Sequence, residues 1–118
     1  NGFYFQPTLL TNVKPENPAF EEEFFGPVAV LIEAQNVHNA IELANDSQFG
    51  LGASLWTTDL SKASRLARQI EAGQVFINEM VQSNVHLPFG GTKKSGIGRE
   101  LGAFGITEFV NIKTVVVG

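Results

Sequence analysis

The order of apolar runs and helical stripes is the feature that most constrains the fold of this chain. Apolar-rich runs at residues 28–32, 53–57 and 74–78 are typical of short buried strands. Between them lie two segments of helix length, 37–44 and 60–71, whose apolar residues recur at helical spacing. Connections of this length join parallel strands. The sequence therefore predicts an α/β fold, a parallel-type sheet with helices on its faces.

Capping residues mark the ends of both predicted helices. Asn36 precedes the first helix, and Thr58 or Asp59 precedes the second, where each side chain can accept from an unpaired N–H. Gly73 follows the second helix, at a position that favours a left-handed glycine. These residues predict where the helices begin and end.

The flanking segments give weaker signals. Residues 4–13 form an edge or irregular strand at best, because Pro7 removes a ladder donor. Pro15 and Pro18 indicate a loop. Residues 101–109 can form a further helix or irregular turns, since their glycines weaken a helix.

The β-branched residues at the end of the chain predict a closing strand that begins at Val110 and ends at Val117. An apolar strand at a sheet edge exposes unpaired backbone groups and aggregates unless it is covered. We therefore expect it to pair with another subunit or with a further part of the same chain.

Composition excludes several classes of function. The 118 residues carry 8 Lys and Arg against 12 Asp and Glu, a net charge of −4, without the cationic stripe that binds nucleic acid. No apolar stretch approaches the ~20 residues that span a bilayer, and no signal peptide is visible. We expect a cytoplasmic protein with no nucleic-acid or membrane partner. The absence of cysteine excludes disulfides, thiolate metal sites and a thiol nucleophile within these residues.

The acidic segment 21–27, directly before a predicted buried strand, is the first candidate site. A carboxylate there could accept hydrogen bonds from a ribose diol, and an aromatic ring could lie against a flat ring. The alternative is a solvated acidic turn.

The glycine-dense segment 89–102 resembles a phosphate loop only superficially. A P-loop needs Lys and Ser or Thr directly after its second glycine, where this chain has Ile97. Its glycines also miss the spacing of a dinucleotide fingerprint. We expect them to allow tight turns and close packing, with Lys93, Lys94 and Arg99 solvated or capping.

The polar loop after the third predicted strand is the last candidate. Asn78, Ser83 and Asn84 follow the carboxyl end of a strand, where open α/β sheets bind ligands, although an ordinary polar loop is an equal alternative. His38 and His86 have no partner at metal-ligand spacing, so we expect no metal site.

Together, several segments resemble the C-terminal quarter of the NAD(P)-dependent aldehyde dehydrogenases. In order along the chain, they are residues 2–8, 22–28, 50–54, 72–78, 88–91, 94–100 and 113–115. Within that family, the loop 78–88 and the ending 108–114 resemble the succinate-semialdehyde dehydrogenases.

The resemblance implies roles for four residues. Glu23 matches the glutamate that holds the nicotinamide ribose of NAD or NADP, and Phe25 matches the aromatic residue packed against the nicotinamide. Ser83 and Asn84 match loop positions that bind the substrate carboxylate, and residues 78–88 would line the substrate tunnel. It further implies that residues 1–109 are part of the catalytic domain and 110–118 the oligomerisation strand of a homo-oligomer.

In the family reaction, a cysteine thiolate attacks the aldehyde, hydride passes to NAD(P)+, and water activated by a glutamate hydrolyses the thioester. This chain has no cysteine, and the resemblance places both catalytic groups upstream. We therefore expect a fragment without catalytic residues that is inactive alone. The alternative is a non-catalytic interaction module that acts through its terminal strand.

Overall fold

The computed structural model describes residues 2–118, in which short strands and helices alternate. The chain divides into two compact units, Asn1–Leu43 and Ala44–Gly118. Parallel strand pairs with helical connections confirm the predicted α/β class. The pairing differs in extent from the prediction, because the described strands form three two-stranded sheets rather than a single larger one.

In the first unit, strands β1 (Thr8–Leu10) and β2 (Val28–Val30) pair in parallel. Strand β1 begins directly after Pro7, which agrees with a broken strand in this region. The predicted loop at the prolines contains one turn of helix, α1 (Pro18–Glu21). Asn17 caps it by accepting from the N–H of Ala19 at 2.9 Å, and a proline is well tolerated in a first turn.

Helix α2 (Val37–Asn45) is confirmed, and so is its cap. The Asn36 side chain accepts from the N–H of Asn39 at 3.0 Å.

The second unit is built on a parallel crossover. Its elements are β3 (Phe49–Gly50), β4 (Ala53–Leu55), α3 (Leu60–Ala67), β5 (Val75–Ile77), β6 (Thr92–Lys93) and α4 (Gly102–Thr107). Strands β4 and β5 pair in parallel through α3, with Ser54 opposite Phe76. Strands β3 and β6 form an antiparallel pair that the sequence did not predict.

The end of α3 corrects the prediction. The helix stops at Ala67 rather than at residue 71, because Asn45 captures the backbone that follows. The Asn45 amide donates to the carbonyl of Gln69 at 2.7 Å and accepts from the N–H of Glu71 at 2.9 Å. Gly73 is not left-handed as predicted; its backbone lies so close to Gly90 that a Cβ would stand 1.7 Å from that carbonyl oxygen.

The predicted closing strand has no partner within the described chain. Residues 110–118 belong to no helix or strand of the described chain, because they find no backbone partner within it. Val110 is 53% exposed and Val117 is 91% exposed. Pairing with a neighbouring subunit stays a prediction.

Candidate functional site

In the first unit, Glu23 and Phe25 lie on the turn that joins α1 to β2. Helix α1 ends as the N–H of Glu22 donates to the carbonyl of Pro18 at 3.0 Å. The N–H of Gly26 then donates to the carbonyl of Phe24 at 2.8 Å, which turns the chain into β2. The short helix and this turn place both candidate side chains at the start of a strand.

Both residues are exposed to solvent on that turn. Phe25 is 97% exposed, whereas large apolar side chains usually pack against their neighbours. The Glu23 carboxylate is exposed and makes no hydrogen bond or ion pair within residues 2–118. An acceptor-only carboxylate can take two hydroxyl donors, and a bare ring can cover a planar heterocycle. Glu23 and Phe25 thus lie on one exposed turn, and their roles in binding a cofactor stay predictions.

In the second unit, Ser83 and Asn84 lie on the loop that leaves β5. The Asn84 side-chain oxygen accepts from the N–H of His86 at 2.9 Å, and its carbonyl accepts from the N–H of Leu87 at 3.0 Å. Asn84 therefore forms a turn within the loop, and its Nδ2 remains available as a donor. The Ser83 hydroxyl is exposed and has no hydrogen bond among the described residues.

A groove of about 500 Å³ runs along β5 and the loop. Glu79, Gln82 and Asn84 line it from the loop, whereas Ser83 does not. The structure therefore brings one of the two predicted carboxylate-binding residues to the groove wall and leaves the other on the exposed loop surface.

Both ends of this loop are anchored. At its start, the Asn78 side chain makes two hydrogen bonds of 2.8 Å to the backbone of Thr57. At its end, the N–H of Gly102 donates to the carbonyl of Val85 at 3.0 Å. The sequence indicates Asn78 as a candidate ligand-binding residue but does not indicate its contact with Thr57. An asparagine directly after a predicted strand is the only signal for that contact.

The glycine-dense segment behaves as predicted, with tight turns and capping lysine contacts. The Lys93 ammonium donates to the carbonyls of Asn45, at 2.6 Å, and Ser47, at 3.0 Å, at the C-terminal end of α2. It also pairs with Glu71 at 2.8 Å. Arg99 donates to the carbonyl of Gly91 at 2.8 Å. Lys93 and Arg99 therefore donate hydrogen bonds to backbone carbonyls of this chain.

One titratable group in the second unit is perturbed by its surroundings. The backbone N–H of Lys62 donates to the carboxylate of Asp59 at 2.9 Å and holds its pKa below the ordinary value of 3.8; the Ser61 hydroxyl adds to the effect. Asp59 is the N-cap of α3 and therefore has a structural role. Within residues 2–118, no group of three or more His, Asp or Glu could hold a metal ion. No helix of this part of the chain is long and apolar enough to cross a membrane.

A family model described as "Aldehyde dehydrogenase family" matches residues 1–115. The chain belongs to the aldehyde dehydrogenase family. The match includes the turn with Glu23 and Phe25 as well as the loop with Ser83 and Asn84.

Individual aldehyde dehydrogenases are similar over nearly the whole chain. A probable NADP(+) succinate-semialdehyde dehydrogenase of Synechocystis sp. is 58% identical over 97% of the chain and 25% of its own length. The NAD(P)+ succinate semialdehyde dehydrogenase Sad of Escherichia coli is 54% identical over the same shares. The crystal structure of succinic semialdehyde dehydrogenase from Streptococcus pyogenes with NADP+ matches with a TM-score of 0.94 and 40% identity, over 98% of this chain and 26% of that one. The chain thus spans about a quarter of the length of the curated relatives it matches.

Proposed function

We propose that this chain works as part of an NAD(P)-dependent aldehyde dehydrogenase that oxidises succinate semialdehyde to the carboxylic acid. The observation that carries the proposal is the identity of 58% and 54% to two relatives named as succinate-semialdehyde dehydrogenases. The chain contains no cysteine, so we assign it no nucleophile. Its contribution is binding and orientation, and we expect the isolated chain to be inactive.

The turn before β2 fits a nicotinamide nucleotide. Glu23 offers an exposed carboxylate without a partner among residues 2–118, which suits the two hydroxyls of a ribose. Phe25 offers a bare ring for the nicotinamide face. When bound, NAD or NADP supplies the hydride acceptor. Glu23 would hold the ribose, and Phe25 would hold the nicotinamide ring, which accepts the hydride.

The loop after β5 fits a carboxylate on the substrate. The hydroxyl of Ser83, exposed and without a hydrogen bond among residues 2–118, can donate to a carboxylate oxygen. The Nδ2 of Asn84 can donate a second hydrogen bond to the carboxylate, while its Oδ1 accepts from the N–H of His86. Both donors are neutral, so they orient the carboxylate without neutralising its charge.

The segment that begins at Val110 fits a subunit contact. Its exposed apolar residues include Ile112 at 79% and Val116 at 84%. A β-branched segment without a backbone partner in the described part of its chain is suited to strand addition. We propose that Val110 to Val117 pairs with a neighbouring copy in a homo-oligomer.

Steady-state kinetics of the full-length protein that contains this chain test the proposed reaction. We expect reduction of NAD+ or NADP+ to depend on succinate semialdehyde, and Glu23→Gln to raise the cofactor KM several-fold and to lower kcat. Glu22→Gln is the matched control, because it removes a neighbouring carboxylate from the same turn. Absence of aldehyde-dependent turnover would contradict the proposal and favour the interaction module. Equal effects of the two substitutions would remove Glu23 from the cofactor site.

A further inference from the structure

Asn78 forms an unusual junction where β5 ends and the loop begins. Its N–H makes the last bond of the parallel ladder, to the carbonyl of Leu55 at 2.8 Å. Beyond that bond, its side chain replaces the ladder: Oδ1 accepts from the N–H of Thr57, and Nδ2 donates to the carbonyl of Thr57, both at 2.8 Å. The side chain therefore fixes the junction to the neighbouring strand while the main chain turns away.

The backbone of Asn78 is left-handed, with φ of 55°. Few residues other than glycine adopt this conformation, and asparagine is among those that do. Glycine would allow the turn but has no amide, and aspartate would oppose a carboxylate to the carbonyl of Thr57. Asparagine alone meets both requirements, the left-handed turn and the paired donor and acceptor.

The far end of the loop is closed by a second rigid contact. Gly102 has φ of 55°, and a Cβ there would lie 3.2 Å from the carbonyl oxygen of His86 and from the nitrogen of Pro88. Phe89 and Glu100 then exchange two backbone hydrogen bonds of 2.7 Å. The exposed part of the loop, with Ser83, thus lies between two fixed points.

We propose that Asn78 is a positioning residue that sets the path of the loop and so places Ser83 for the carboxylate of the substrate. This inference rests on the proposed function. Asn78 needs no contact with substrate in this role, because Thr57 holds its Oδ1 and one N–H of its Nδ2. Its effect must therefore appear as a loss of preference for carboxylated aldehydes.

The test compares succinate semialdehyde with butanal, an uncharged aldehyde of the same chain length, in the full-length protein. Asn78→Gly keeps the left-handed turn and removes the amide. We expect it to raise KM for succinate semialdehyde about three- to tenfold, the ratio that corresponds to the net loss of about one hydrogen bond, that from Ser83 to the substrate carboxylate. KM for butanal should change little. Asn78→Asp keeps one acceptor but opposes a carboxylate to the carbonyl of Thr57, so it should raise KM for succinate semialdehyde at least as much, and it serves if the glycine variant does not fold.

Asn45→Ala is the matched control. Asn45 also pins two backbone groups through its amide, those of Gln69 and Glu71, and it lies outside the loop. Its loss should lower thermal stability and leave the ratio of kcat/KM for the two aldehydes unchanged. In a Ser83→Ala background, Asn78→Gly should add little to the loss of preference, because both changes act on the same contact.

The outcomes separate the two proposals. No turnover of succinate semialdehyde by the unsubstituted protein overturns the proposed function and this role of Asn78 with it. If the unsubstituted protein turns over succinate semialdehyde, two results overturn only the role of Asn78. Either Asn78→Gly leaves the aldehyde preference unchanged, or Asn45→Ala lowers it equally. An additive effect in the Ser83→Ala background also overturns it.

Discussion

Gly73 shows how a single backbone position can decide local packing. A Cβ at this residue would lie 1.7 Å from the carbonyl oxygen of Gly90 and 3.1 Å from the Cα of Gly91. Both obstacles are backbone atoms, which cannot move aside like the end of a flexible side chain. The close approach ties the strand β5 region to the glycine-dense segment.

We therefore expect Gly73→Ala to destabilise the full-length protein by about 1–3 kcal/mol, the usual cost of overpacking. Urea unfolding measures the difference. Gly26→Ala is the control, because a Cβ there meets nothing within 4 Å and its effect on stability should be within about 0.5 kcal/mol of zero. Equal stability of the two variants would contradict this account of Gly73.

At the residue scale, the sequence indicated which segments carry polar and aromatic side chains, but not which residues contact each other. It identified the acidic turn with Glu23 and Phe25, but only the family resemblance gave these residues roles. The pairing of Asn78 with Thr57 joins residues 21 positions apart. Periodicity cannot show such a contact, because it reports on one segment at a time.

At the element scale, local signals predicted helix starts and failed at a helix end. Asp59 and Asn36 cap α3 and α2 through N–H groups three residues away, within reach of a sequence motif. The end of α3 depends on Asn45, the last residue of α2. Its side-chain amide hydrogen-bonds to the backbone of Gln69 and Glu71, which follow α3. Starts of this kind are encoded locally, whereas this end is set by tertiary contact.

The cap at Asp59 predicts a pH dependence of α3. Its pKa is lowered in the folded state, so its stabilising effect is complete above the ordinary value of 3.8 and is lost as the pH falls through the lower folded pKa. Hydrogen exchange at the Lys62 N–H, corrected for the intrinsic rate, should show strong protection near neutral pH that declines in this acid range.

Two variants make this prediction testable. Asp59→Asn keeps the acceptor but does not titrate, so it should protect the Lys62 N–H without this pH dependence. Asp59→Ala should weaken protection at every pH. A pH response that is the same in the unsubstituted protein and in Asp59→Asn would show that the carboxylate is not its source.

At the scale of the whole molecule, the sequence predicted the parallel class but not every pairing. The crossover from β4 through α3 to β5 is a local unit, and it was predicted correctly. The pair β3 and β6 brings Gly50 opposite Thr92, too far along the chain for a turn signal to indicate. Only Val13 and Ala63 are buried hydrophobic residues among those described, so most apolar surface remains for other parts of a larger protein to cover.

The terminal segment gives the last prediction. If Val110 to Val117 adds to the sheet of a neighbouring subunit, its N–H groups form a ladder that proline breaks. Successive N–H groups along a strand point to opposite edges. Val115→Pro and Val116→Pro should therefore have different effects on the mass of the assembled full-length protein, measured by light scattering. One of them should reduce this mass as much as deletion of residues 114–118 does. Val116→Thr, which keeps the N–H and the β-branch, should preserve the mass. If the deletion and both proline variants all keep the original mass, this segment does not join the subunits.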